Sequence, residues 1–94
     1  ILMHNQSSNR IEWGELKDRH LRGQYRNVHA WIRLNRQDQA TGVYLAIEGS
    51  DDWEKHVPGP DESWSLEDAK VVAELGTEAL LATVAIMKTI KQEQ

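Results

Sequence analysis

Between residues 24 and 34 apolar and polar side chains alternate: Val28, Ala30, Ile32 and Leu34 against His29, Trp31 and Arg33. Successive residues of a strand point to opposite faces, so this alternation predicts a half-buried strand. Trp, Val, Ile and Tyr also suit a pleated surface. Residues 43–48 alternate again, with Val43, Leu45 and Ile47 against Tyr44, Ala46 and Glu48, after a polar loop that ends in Gly42. The two runs predict an antiparallel β-hairpin, about 24–34 and 43–48. A helical alternative keeps Leu21, Tyr25, Val28 and Ile32 on one face, and Ala40, Val43, Tyr44 and Ile47 on another. Taken throughout, it gives an all-α bundle.

Residues 10–22 place Ile11, Trp13, Leu16 and Leu21 near three- and four-residue spacing, with acids ahead of bases. This predicts a short N-terminal helix, with Gly23 as its stop. A long C-terminal helix is predicted at about 66–91, capped by Ser65 with Asp68 three residues on. Residues 1–9 read as an extended lead-in. Residues 49–64 read as an acidic connecting loop, held down by Trp53 and Trp64 and kept irregular by Pro58-Gly59-Pro60. The expected fold is thus α+β, one domain over 1–94: a short helix, a hairpin and a long helix.

Surface counting then raises a question about the long helix. Its second half, Ala79 to Met87, is apolar on nearly every side. A two-stranded hairpin and one short helix can cover one side of it, and an uncovered apolar face of that length marks an interaction surface. A second copy of the chain is the favoured partner, as a dimer, through Leu80, Leu81, Ala82, Val84 and Met87. The leading expectation is a small homo-oligomeric binding or adaptor protein.

Composition narrows the chemistry. The chain has 94 residues, no Cys and no Phe, but four Trp. Disulfides and thiol chemistry are excluded. The 79–87 block is far short of the ~20 residues that span a bilayer, so no membrane partner is expected. No signal peptide is expected either, since residues 1–10 lack an apolar run; Ile1 and Leu2 precede Met3, where the natural start is expected. A cytoplasmic location is the default.

Charge is segregated along the chain. Residues 10–36 hold seven bases and three acids, whereas residues 37–68 hold nine acids and one base, Lys55. The two segments are expected to face each other. A second possibility is a nucleic-acid surface in 19–36 using Arg19, Arg22, Arg26, Arg33 and Arg36. The overall charge of −4 opposes it at long range.

Two polar groupings merit attention. Tyr25, His29, Trp31, Arg33 and Tyr44 form a candidate ligand set, with aromatic rings for stacking, a guanidinium for an anion and a switchable imidazole. Asp51, Asp52, Glu54 and His56 form a weaker candidate for a divalent metal or acid–base work, at a spacing that matches neither an EF-hand nor a zinc motif. No nucleophile motif, phosphate-binding loop or dinucleotide fingerprint is visible, so no catalytic residue is assigned and no cofactor is implied.

Overall fold

Asp18 and Arg19 both adopt left-handed backbone, with φ of 53° and 63°. That pair of angles makes a tight two-residue turn, closed by hydrogen bonds in both directions between the Lys17 and His20 backbones at 2.9 Å. The turn overturns the expected N-terminal helix. In the computed structural model, which describes residues 10–93, this segment is two strands, β1 (Glu12–Trp13) and β2 (His20–Tyr25). The expected lead-in at 1–9 lies outside the described residues.

The chain continues as β3 (Val28–Leu34), β4 (Ala40–Ile47), β5 (Glu54–His56) and one helix, α1 (Leu66–Glu93). The five strands form one antiparallel sheet in sequence order, each paired with the next. The fold is α+β. The expected two-stranded hairpin is therefore wrong, and so is the all-α alternative. Two strands alone are marginal in water; five strands covered by a helix form a stable layer. Residues 49–64 are not a plain loop, since they carry β5 and a bridge from Trp64 to Ala40.

Alternation sorts the sheet into two faces. Leu21, Val28, Ala30, Ile32, Val43 and Leu45 point inward, and all are at least 97% buried. Ala69, Ala73 and Thr77 of α1 meet them, spaced one helical turn apart. Small residues let the helix lie close to the sheet. At Gly76 an added Cβ would stand 2.5 Å from Leu45 Cδ1, so the close approach itself requires glycine. Gly23 does the same for the edge of the sheet. It is no helix stop but a mid-strand residue, and a Cβ there would stand 2.6 Å from both Ile11 Cγ2 and Trp13 Cε3.

The ends of these elements are chemically closed. Ser65 Oγ accepts the Asp68 N–H at 3.1 Å, while Asp68 Oδ2 accepts the Ser65 N–H at 3.2 Å, a reciprocal cap on α1. Asn35 Oδ1 accepts the N–H groups of Gln37 and Gln39 and shapes the β3–β4 loop. Glu74, buried within α1, accepts the backbone N–H of Arg10 at 3.0 Å and of Ile11 at 2.9 Å. This carboxylate clasps the chain entering β1 onto the helix.

Because α1 buries its small residues, its larger apolar residues look outward. Val71, Leu75, Ile86, Met87 and Ile90 are each more than half exposed. At 100° per residue, Val71, Leu75, Ala79, Ala82, Ile86 and Ile90 fall within an arc of about 100°. No charged residue interrupts that arc between Val71 and Ile90. Among the described residues no helix is long and apolar enough to cross a membrane.

Candidate ligand-binding face

The sheet face turned away from α1 carries an aromatic and cationic surface. Register fixes its layout. Arg22 lies opposite Trp31, Trp31 opposite Tyr44, and Tyr44 opposite Lys55. These four residues form a row that crosses four strands, about 14 Å at the usual strand spacing. A second row runs from His20 to Arg33 to Gly42, and a third from Glu12 through Gln24 and His29 to Ala46. Cross-strand neighbours on one face lie close enough to interact, so each row is a line of contacts.

Trp31 is the hub. Its indole Nε1–H donates to His20 Nδ1 at 2.8 Å, and the two rings stack with centroids 5.3 Å apart. That bond requires the His20 proton to sit on Nε2, with Nδ1 as acceptor. Tyr44 packs at 5.4 Å on the β4 side. Trp53 folds over from the β4–β5 connection and meets Trp31 edge-on at 6.3 Å. The guanidinium carbons of Arg22 and Arg33 stand 5.2 and 5.8 Å from the Trp31 ring centre, and Lys55 Nζ stands 5.8 Å from that of Tyr44. Each is a cation–π distance.

A recess of about 380 Å3 opens beside this hub, between Arg22, His29, Trp31 and Trp53. It is at the small end of the ~300–1,000 Å3 range of ligand sites. Trp53 is 47% exposed, which leaves ring surface available to a ligand. Carboxylates approach two borders, since Glu15 and Asp18 line a second recess with His20 and Arg22, and Glu12 and Glu48 stand at the third row. His29 Nε2 lies 3.8 Å from Glu48 Oε1, and Glu12 ends the third row. The first and second rows carry none.

Of the five residues expected to hold a ligand, the fold brings His29, Trp31, Arg33 and Tyr44 to this face. Tyr25 points the other way, pairs with Val28, and packs against the core with Arg26 over its ring at 5.1 Å. The expected ligand set left out Arg22, Trp53 and Lys55, although Arg22 stood in the expected nucleic-acid surface and Trp53 among the loop anchors. Arg22 and Lys55 follow from register, which pattern alone does not supply. Of the other arginines in 19–36, Arg19 bonds to the Asn35 carbonyl at 3.0 Å and Asp38 at 3.4 Å, and Arg36 lies exposed in the β3–β4 loop.

The expected metal residues separate. Glu54 and His56 pair at 3.0 Å on the helix side of β5, whereas Asp51 and Asp52 are exposed in the loop before it. Among the described residues no group of three or more His, Asp or Glu is placed to hold a metal ion. Of the expected interface residues, Leu80, Leu81 and Val84 are half-buried, with Leu80 against the core, while Ala82 and Met87 are exposed. No family model, curated protein or solved structure matches the chain.

Proposed function

We propose that this chain is a homo-oligomeric binding protein whose outer sheet face takes a ligand combining a flat ring with negative charge. The observation that carries the reading is the Trp31 hub, two guanidinium groups over an indole ring that a hydrogen bond to His20 already fixes. A ring held in place gives up little freedom when a ligand stacks nearby, and preorganisation of this kind favours affinity. Arg22, Arg33 and Lys55 supply the positive charge, and the recess beside Trp53 supplies room for one ring. A mononucleotide titration followed by tryptophan fluorescence tests it. Saturable quenching that Trp31→Ala abolishes supports the reading, and quenching of equal size in that variant refutes it.

Assembly rests on a separate observation. The outward stripe of α1 from Val71 to Ile90 is about 28 Å long at 1.5 Å per residue and lacks charge. A second copy offers the same stripe, so two helices can cover each other about a two-fold axis. Ala79 and Ala82 at its centre permit close packing. The interface expected at Leu80, Leu81, Ala82, Val84 and Met87 shifts accordingly, to Val71, Leu75, Ala82, Ile86 and Ile90. Sedimentation of the parent chain and of Leu75→Glu/Ile86→Glu tests this. A parent dimer that becomes a folded monomer supports the reading; a monomeric parent refutes it.

A further inference from the structure

We infer that the outer sheet face binds single-stranded nucleic acid, with bases on the Trp53–Trp31 recess and phosphates along Arg22, Arg33 and Lys55. This rests on the reading of that face as a binding surface and goes on to name the polymer. Three features select a strand over an isolated nucleotide.

First, the cations are spread rather than gathered. Arg22 and Lys55 stand at opposite ends of a row across four strands, and Arg33 lies in the neighbouring row. A single phosphate cannot reach all three over about 14 Å, whereas a chain of phosphates can. Second, the aromatic groups are interleaved with those cations. Trp31 and Tyr44 occupy the middle of the same row, and Trp53 overhangs it. Alternating ring and charge matches the alternation of base and phosphate, and stacking accepts any base. Third, the face is open. Arg22, Arg33, Lys55 and Trp53 are all exposed, which admits a continuous strand, and a duplex presents its bases stacked and hidden from Trp53. Glu12 and Glu48 repel phosphate at the third row, and Glu15 and Asp18 repel it beyond His20 and Arg22, so the path runs between these borders along Arg22, Arg33 and Lys55.

Charge arithmetic makes the inference measurable. Three phosphate contacts on a single strand give a slope of about −2 for log K against log salt concentration. Loss of two contacts cuts the slope to about −0.7. Removal of a stacked ring costs about fivefold or more in affinity.

The experiment uses the full chain and fluorescence anisotropy of labelled dT12 and rU12, with dTMP, a 12-base-pair duplex and a poly-glutamate peptide as competitors, at several salt concentrations. Variants are Arg22→Ala/Arg33→Ala, Trp53→Ala and, as a charge-matched control on the helix, Lys88→Ala/Lys91→Ala, each checked for parental melting. The expected result is saturable binding of the oligomers, at least tenfold tighter than dTMP, with a slope near −2. The arginine pair and Trp53→Ala should each weaken it at least fivefold, and the lysine pair should not. The DNA and RNA arms show which sugar the face prefers. Equal affinity for dTMP and dT12, with Trp53 quenched by both, overturns the polymer while leaving a ring-and-anion site. No binding of either overturns the site as well. Stronger competition by poly-glutamate or duplex, or equal weakening by the lysine pair, also overturns the inference.

Discussion

Glu74 offers the sharpest test of how the N-terminal edge is held. The residue is 4% exposed, and its carboxylate accepts the N–H groups of Arg10 and Ile11, 64 and 63 residues away in sequence. Ile11 is itself 6% exposed, so in Glu74→Ala its N–H loses the partner it has among the described residues, in a place water reaches poorly. Hydrogen bonds to a carboxylate contribute about 1.5–3 kcal/mol each, and an orphaned buried donor costs about 1–3 kcal/mol. Against this, removing a buried carboxylate recovers its dehydration cost. The net expectation for Glu74→Ala is a loss of about 3 kcal/mol, and for Glu74→Gln, which keeps one acceptor, about 2 kcal/mol. For a chain of this size 2 kcal/mol is a fall of roughly 8–16 °C in melting temperature. Urea unfolding measures the energy, and amide exchange at Ile11 locates it. If Glu74→Ala stays within about 0.5 kcal/mol of the parent, the clasp does not hold β1 and the reasoning fails.

Two further substitutions probe the packing of helix on sheet. Thr77 is 1% exposed and its Oγ1 has no hydrogen-bond partner among the described residues, so Thr77→Val, of the same shape, should raise stability by about 1 kcal/mol in urea unfolding. Gly23→Ala should cost about 1–2 kcal/mol, since the new methyl meets Ile11 and Trp13 at 2.6 Å and overpacking outweighs the stiffening of the unfolded chain. An unchanged midpoint in either variant would contradict the packing described.

The alternation at residues 28–34 and 43–47 reads the same in sequence and in the sheet, where it sorts Val28, Ala30, Ile32, Val43 and Leu45 inward, although Ala46 on the outer face is also buried. The first third of the chain misleads for a physical reason. Ile11, Trp13, Leu16 and Leu21 mimic helical spacing, and the turn that separates β1 from β2 lacks the Gly or Asn that announces left-handed backbone. Asp18 and Arg19 adopt it instead, supported by Arg19 bonding to Asn35 and Asp38. β5 has three residues, Glu54–His56, too few for any period to show. In α1 residue size does not reveal which stripe is buried. Leu75 and Ile86 look like core by size, yet the close approach at Gly76 favours small residues, and these two turn outward while Val72 and Leu80 pack against the core. The candidate face was legible in part. Trp31, Arg33, His29 and Tyr44 follow from alternation, whereas Arg22, Lys55 and Trp53 join them only through strand register and the path of a loop.

The four tryptophans divide between the two faces of the sheet. Trp31 and Trp53 belong to the outer face, while Trp13 and Trp64 pack against the core. Each carries one indole N–H that nuclear magnetic resonance resolves. Titration of the full chain with dT12 at low salt is expected to move the Trp31 and Trp53 indole signals and leave those of Trp13 and Trp64 in place. Movement of Trp13 and Trp64 alone, or of none of the four at saturating oligonucleotide, would contradict it.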